Sequence, residues 1–258
     1  MERKLSRINH KCYADKHCFD YFSINKCYPN MQNPYFFKIA VIQEMLPQYE
    51  WVVWMDDDTY FTNFQLSVFS EIIASVKDKW LIIADSPISL NRKSPIVNSG
   101  VMLIKNVPEA IGFLNDVYVT PLEQIKASYD ESKYGFWTNT DQDSIIYFCD
   151  KRKWNDVEII DHNVMNSRIY EYHKSIDEHF ILHLPGVKDK LLALNSFAKK
   201  YDCDISLIPK DIINSMNITF SQRLITLQII VRRLQMQYRR FTEKIIFGFR
   251  RIKNIINN

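Results

Sequence analysis

The sequence predicts an α/β layered domain. Short apolar runs of strand length alternate with amphipathic stretches of helix length, which is the pattern of layered sheets and helices. The 258 residues suit one large domain, or one domain with an appendage. With 47% hydrophobic and 24% charged residues the chain can bury a core that needs no disulfide or metal staple, so disorder and fibrous repeats are excluded.

Taken in order, apolar residues over 34–46 recur at helical spacing, with Pro34 suited to a first turn and Pro47 to a stop. Residues 51–55, WVVWM, form a β-rich run that ends on three acids. Residues 64–77 read as a helix, 80–84 as a second buried strand and 101–104 as a third, followed by a helix opening near Pro108. A helix over 144–148 and strands over 157–160 and 180–182 complete the pattern. No internal repeat or low-complexity linker interrupts it.

Charge divides the chain. Residues 221–258 hold nine basic residues against Glu243 alone, a net +8, and residues 1–220 are net −5. We therefore expect a body over 1–220 and a basic tail over 221–258. On a helical projection Leu227, Val231, Leu234, Tyr238, Phe241, Ile245, Ile252 and Ile256 share one stripe. Arg232, Arg233, Arg239, Arg240, Lys244, Arg250 and Arg251 lie opposite. Such a helix suits an anionic membrane surface, with packing on the body or on a second copy as the plain alternative. Large aliphatics over one whole face argue against a nucleic-acid partner. The start, MERKLSRINH, has no apolar core of a signal peptide, and no uncharged apolar run is long enough to span a bilayer. The five cysteines are odd in number and form no C-x-x-C, so reduced thiols are expected. Together these suggest a cytoplasmic protein, peripheral at the membrane.

The chemistry is expected in four places. Asp56, Asp57 and Asp58 follow an apolar strand directly, and three adjacent like charges there call for a counter-cation. In extended backbone Asp56 and Asp58 point the same way, a pair able to hold Mg²⁺ or Mn²⁺. A phosphatase of the haloacid-dehalogenase type also sets D-x-D after a strand, but Tyr60 stands where its Thr or Val belongs. Asn98-Ser99-Gly100 leads into the strand VMLI, a small step where backbone can approach a ligand. Asp141-Gln142-Asp143 opens a helix, where a carboxylate is favoured, and simple capping would explain it too. His183 follows a strand, with Gly186 and Lys188 shortly after it; a histidine is a good third ligand for Mn²⁺. The five glycines, at 100, 112, 135, 186 and 248, make no phosphate-cradling loop, so any bound phosphate must be neutralised some other way.

With these motifs in order, the chain resembles the GT-A glycosyltransferases, and most closely glycosyltransferase family 34, with the family 8 galactosyltransferases as near neighbours. The similarity runs from about Asn9 to Lys188, through Asn9-His10-Lys11-Cys12-Tyr13-Ala14, Lys38, WVVWMDDDTYFTN, NSGVMLIKN, DQDS and HLPGVK. The resemblance implies a GT-A (Rossmann-like) fold and Mn²⁺, or Mg²⁺, held by Asp56, Asp58 and His183. It implies a nucleotide-sugar donor, UDP-hexose first and UDP-galactose favoured, contacted by Asn9, Lys38, Asp57, Asn98, Gly100, Gly186 and Lys188. Lys188 would assist the departing diphosphate. Asp141 and Gln142 would stand by the anomeric carbon of a retaining reaction, either as nucleophile or as stabiliser of an ion pair. The acceptor would be a glycan or a lipid-linked saccharide. The family's first strand, which should precede Asn9, is expected to be missing or displaced, since only MERKLSRI stands before it. The competing reading is a non-catalytic GT-A-derived protein that binds a glycan or a partner without a complete donor site.

Overall fold

The computed structural model describes residues 2–26, 28, 31, 33–76, 78–87, 94–216 and 224–239. Helix α1 (Glu2–Lys16) comes first. A 3₁₀ turn over Pro34–Phe36, its first turn capped by the Asn33 side chain, leads into α2 (Phe37–Met45). Pro47 lies in the 3₁₀ turn Leu46–Gln48 that closes α2. Then come β1 (Trp51–Met55), β2 (Thr59–Phe61), α3 (Val68–Ser75), β3 (Leu81–Asp85) and β4 (Val97–Lys105). Helices α4 (Pro108–Val119), α5 (Leu122–Lys126), α6 (Glu131–Tyr134) and α7 (Asp141–Lys151) follow. Strand β5 (Val157–Ile160), α8 (His162–Met165), β6 (Ile181–His183), α9 (Lys190–Lys200), α10 (Lys210–Ser215) and α11 (residues 224–239) follow among the described residues.

The main sheet has strand order β1-β4-β3-β5, with β3 and β5 parallel and the other pairs antiparallel. Period-two alternation assigns its two faces. Leu81 and Ile83 of β3, with Met102 and Ile104 of β4, pack beneath α2, α4 and α7. Ile82 and Ala84, with Val101 and Leu103, face the opposite way toward Cys12 and Tyr13 of α1, Phe69 of α3 and Ile212 of α10. Both faces are covered, which is why these strands read as continuous apolar runs. Among the described residues β1 pairs on one side only, with β4. A second, two-stranded sheet pairs β2 with β6 and sits over a third core built on Tyr60, Leu182, Leu191, Leu194 and Phe197.

The structure moves several expected boundaries. The helix expected over 64–77 starts only at Val68. The strand expected over 101–104 begins at Val97, so Asn98, Ser99 and Gly100 lie inside β4 and do not precede it. The β3–β4 register jumps from Ile83↔Met102 to Ala84↔Asn98, leaving residues 99–101 without a partner on β3. That bulge displaces the small residues toward the site.

In the tail, α11 is held to the body by Ile225 and Ile229, buried beside Leu5, and by an ion pair from Arg232 to Asp189 at 3.2 Å. The apolar stripe read from the sequence is a different face: Leu227, Val231, Leu234 and Tyr238 are 43–71% exposed. Its remaining members, Phe241, Ile245, Ile252 and Ile256, and the cations Arg240, Lys244, Arg250 and Arg251, lie outside the described residues. No helix among the described residues is long and apolar enough to cross a membrane.

Candidate metal and donor site

The site is built where the two sheets meet. After β1 the chain does not stay extended. It turns, with the Thr59 N–H and hydroxyl both donating to the Asp56 carbonyl (3.2 and 2.7 Å), and re-emerges as β2. Asp56 and Asp58 therefore converge around a tight turn, not along one side of a strand as the sequence spacing suggested. The β2–β6 register sets Thr59 opposite His183, and the Leu184 N–H donates to the Asp58 carbonyl at 3.1 Å. Pairing at that register carries His183 to the carboxylates across more than a hundred residues of chain. Ligand atoms of Asp56, Asp58 and His183 lie within 4.8 Å of one another.

Hydrogen bonds decide which histidine nitrogen is available. Arg168 can only donate, and its Nη1 meets one side-chain atom of Asn166 at 2.6 Å, so that atom is the amide oxygen. The same oxygen accepts from His183 Nδ1 at 2.7 Å, while Asn166 Nδ2 donates to the Asp85 carbonyl. With Nδ1 committed as donor, the Nε2 lone pair of the neutral ring points at Asp58 Oδ1, 3.2 Å away. Two acceptors at that distance need a proton or a metal cation between them. Two carboxylates and an imidazole form a donor set that fits Mn²⁺ or Mg²⁺. Gly100 permits the arrangement: a Cβ there would stand 2.2 Å from His183 Cε1.

Lysines balance the acids. Lys38 is buried, with Nζ 3.1 Å from Asp56, 3.4 Å from Asp141 and 3.0 Å from the Ser99 carbonyl. Burial works to discharge this ammonium, but Asp141 and Asp56 outweigh it and hold it above its ordinary value. Burial raises the Asp141 carboxyl, against the pull of Lys38. Burial would also raise Asp58, yet a proton on His183 Nε2, standing where a cation would, and the Lys190 ammonium overcome it and hold that carboxyl well below the usual range. Trp54 Nε1 donates to Asp56 at 2.7 Å. The residues open onto one cavity of about 1440 Å³, whose walls include Asp56, Asp58, Asn98, Asp141, His183 and Lys190.

Most of the expected residues meet there. Asn98, Gly100, Gln142 and Gly186 line the cavity, and Gln142 Oε1 accepts from the Ser99 N–H at 3.1 Å. Of the DQD run, Asp143 does the capping: it accepts from the N–H groups of Thr138 and Thr140, freeing Asp141 and Gln142 to face inward. Asp57 lines the cavity and pairs with Arg3, also in its wall, at 2.7 Å. Two residues are not brought to the site. Asn9 is fully buried away from the cavity wall, its amide spent on the Phe61 and Ser206 carbonyls and the Phe61 N–H, so it ties α1 to β2. Lys188 is exposed outside the cavity wall, and Lys190 stands in its place, 2.7 Å from Asp58 Oδ2. Sequence reasoning also missed Asn166 and Arg168, which carry no motif. A bridge from Ser167 to Leu182 of β6 sets them beside His183.

The profile of the galactosyl transferase GMA12/MNN10 family matches residues 4–96. Among solved structures the chain is similar to a glycosyltransferase involved in the glycosylation of the major capsid of PBCV-1. That match has a TM-score of 0.58 at 15% identity and covers 77% of this chain and 92% of the other. The fold is that of a glycosyltransferase. A further similarity, to mouse xyloside xylosyltransferase 1 in its apo form, is weaker, with a TM-score of 0.39 at 16% identity over 60% of this chain and 65% of the other. No curated protein sequence matches. The family profile covers the D-x-D turn and Lys38 but stops before Asn98, so the glycosyltransferase resemblance of the later motifs rests on their place in the fold. Family and fold together support a role in glycosyl transfer.

Proposed function

We propose that this chain is a metal-dependent, retaining glycosyltransferase that moves a hexose, galactose first, from a UDP-sugar to a glycan or lipid-linked saccharide. The observation that carries the reading is the convergence of Asp56, Asp58 and the His183 Nε2 lone pair on one wall of a cavity that also holds Asp141. At about 1440 Å³ the cavity exceeds what a small ligand alone requires, leaving room for donor and acceptor together.

Asp56, Asp58 and His183 would hold Mn²⁺ or Mg²⁺, which when bound supplies Lewis-acid neutralisation of a diphosphate leaving group. Lys190 takes the part first expected of Lys188: its ammonium, on the cavity wall, is positioned to follow charge onto the departing diphosphate. Lys38 keeps Asp56 and Asp141 apart in role by sitting between them. Retention requires a group on the sugar face opposite the leaving group, and Asp141 and Gln142 are the candidates. Ser99 Oγ donates to Asp141 at 2.9 Å and orients its carboxylate, while the Gln142 amide is fixed through its oxygen. Asn98 and Gly186 complete the walls for sugar and acceptor hydroxyls.

For the tail, the reading is contact with an anionic membrane surface through residues 221–258. It is supported by the outward apolar face of α11, with Leu227 and Leu234 more than half exposed, and by the surplus of basic residues. Deleting 221–258 is expected to release the protein from anionic liposomes in a sedimentation assay, and unchanged sedimentation refutes the reading.

Hydrolysis of UDP-sugars and GDP-sugars with and without Mn²⁺ tests the enzyme. Slow, Mn²⁺-dependent release of nucleoside diphosphate from one donor is expected. Complete absence of release from any of them favours the non-catalytic alternative.

A further inference from the structure

The carboxylates of the D-x-D turn and of Asp141 each have a cationic partner. Lys38 serves Asp56 and Asp141, Lys190 serves Asp58, and Arg3 serves Asp57. Arg168 is in the same wall and has no carboxylate within ion-pair distance among the described residues. Its Nη1 is held by the Asn166 side-chain oxygen and backbone carbonyl, both neutral. Its Nε and Nη2 have no hydrogen-bond partner among the described residues. Burial works against its charge and the nearby acids Glu171 and Asp58 support it only through space. A guanidinium does not discharge at any ordinary pH, so the wall carries a half-desolvated positive charge with open donors.

Its position relative to the metal ligands is fixed by a single shared atom. Asn166 Oδ1 accepts from both Arg168 Nη1 and His183 Nδ1, so guanidinium and imidazole are neighbours across one oxygen. The far side of that imidazole faces Asp58. An anion bound between the Asp58–His183 centre and Arg168 has to be compact, multiply charged and rich in acceptor oxygens, which describes a phosphate group. A neutral sugar offers no such charge.

We propose that Arg168 is a second anchor for the diphosphate of the nucleotide sugar, donating from Nε and Nη2 to a phosphate oxygen while Asn166 holds the guanidinium in place. The inference rests on the donor-site reading given above and extends it to a residue outside every motif. It assigns the segment 166–168 two tasks: Asn166 orients His183, and Arg168 receives the ligand.

The test is calorimetric titration of wild type, Arg168→Gln and Arg168→Met with Mn²⁺ alone, then with UDP, GDP and the corresponding nucleosides at saturating Mn²⁺, each variant's melting temperature being measured alongside. Arg168→Gln removes the charge but keeps an amide donor for Asn166, and Arg168→Met removes both. For Arg168→Gln we expect unchanged Mn²⁺ binding, unchanged nucleoside binding, and a diphosphate affinity reduced roughly ten- to hundred-fold, the effect of losing charge-assisted hydrogen bonds. Diphosphate affinity equal to wild type in Arg168→Gln overturns the proposal. So does loss of Mn²⁺ binding in parallel with diphosphate binding in both variants, which would make Arg168 a support for Asn166 and His183 only. Should wild type bind neither nucleotide with Mn²⁺, the donor-site reading fails and this inference falls with it. Wild-type binding with unaffected variants sinks the inference alone.

Discussion

Asp56, Asp58 and His183, and at the end of β3 Asp85, Asp161 and His162, are made of the same residue types, and each set gathers its ligand atoms within 4.8 Å. Their surroundings differ in the feature that matters to a cation. His183 leans on a neutral amide oxygen, so one ring nitrogen is fixed as donor and the other is left to face Asp58. His162 meets carboxylates at both nitrogens, Asp85 at Nδ1 and Glu171 at Nε2, each 2.9 Å away. Neither of its ring nitrogens is turned toward an open ligand position. Asp58 and His183 are nearly inaccessible, whereas the Asp161 side chain is 64% exposed. The first set is enclosed, opens on the cavity and is balanced by separate lysines; the second closes on itself as an ion-pair cluster. Acids near a histidine are thus poor evidence of a metal centre until the partner of the histidine's second nitrogen is known.

Substitution at matched positions gives the largest contrast. Asp58→Ala should abolish Mn²⁺-dependent nucleotide binding, and Asp161→Ala should leave it unchanged, both in titration calorimetry of folded protein. Loss of binding in Asp161→Ala would break the distinction. A smaller effect is expected from Gly100→Ala. The added methyl would stand 2.2 Å from His183 Cε1 and 2.9 Å from Nδ1, so the ring must shift from its place. Mn²⁺ affinity should fall roughly ten- to hundred-fold, the scale of disturbed ligand orientation, read by electron paramagnetic resonance of free Mn²⁺. Unchanged affinity would remove His183 from the ligand set.

A separate effect concerns stability. His10 is buried and donates to the Thr59 carbonyl at 2.8 Å, bracing the turn that carries Asp58. Burial, only partly offset by that bond, pushes its pKa down to about 4. The unfolded chain then binds the proton more readily than the folded one, so this stability is full above pH ~6.5 and is lost as pH falls toward 4. A loss of about 3 kcal/mol over that interval is expected in urea melts. His10→Asn, which cannot titrate, should flatten the dependence, and an equally steep profile in the variant would assign it elsewhere.

Much of this was readable from local pattern. The strands announce themselves as apolar runs because helices cover both sheet faces, and Asp56, Asp58 and His183 stand out because each follows such a run. The remainder depends on contacts that no window of sequence contains. The turn after Asp56 is shown only by its hydrogen bonds, and Asn9 looks like a ligand residue until its amide is seen holding Phe61 and Ser206. Lys190 replaces Lys188 because α9 begins there and directs it onto Asp58. Asn166 and Arg168 acquire their place from the Ser167–Leu182 bridge. In α11 periodicity finds an apolar stripe, but the body takes the face bearing Ile225 and Ile229.

The central claim is a metal-and-diphosphate site between the D-x-D turn and β6. Thermal-shift titration of the intact chain with UDP and GDP, each with and without Mn²⁺, tests it most directly. The account predicts stabilisation by one nucleotide, UDP first, only when Mn²⁺ is present. Equal melting temperatures under all four conditions would contradict it.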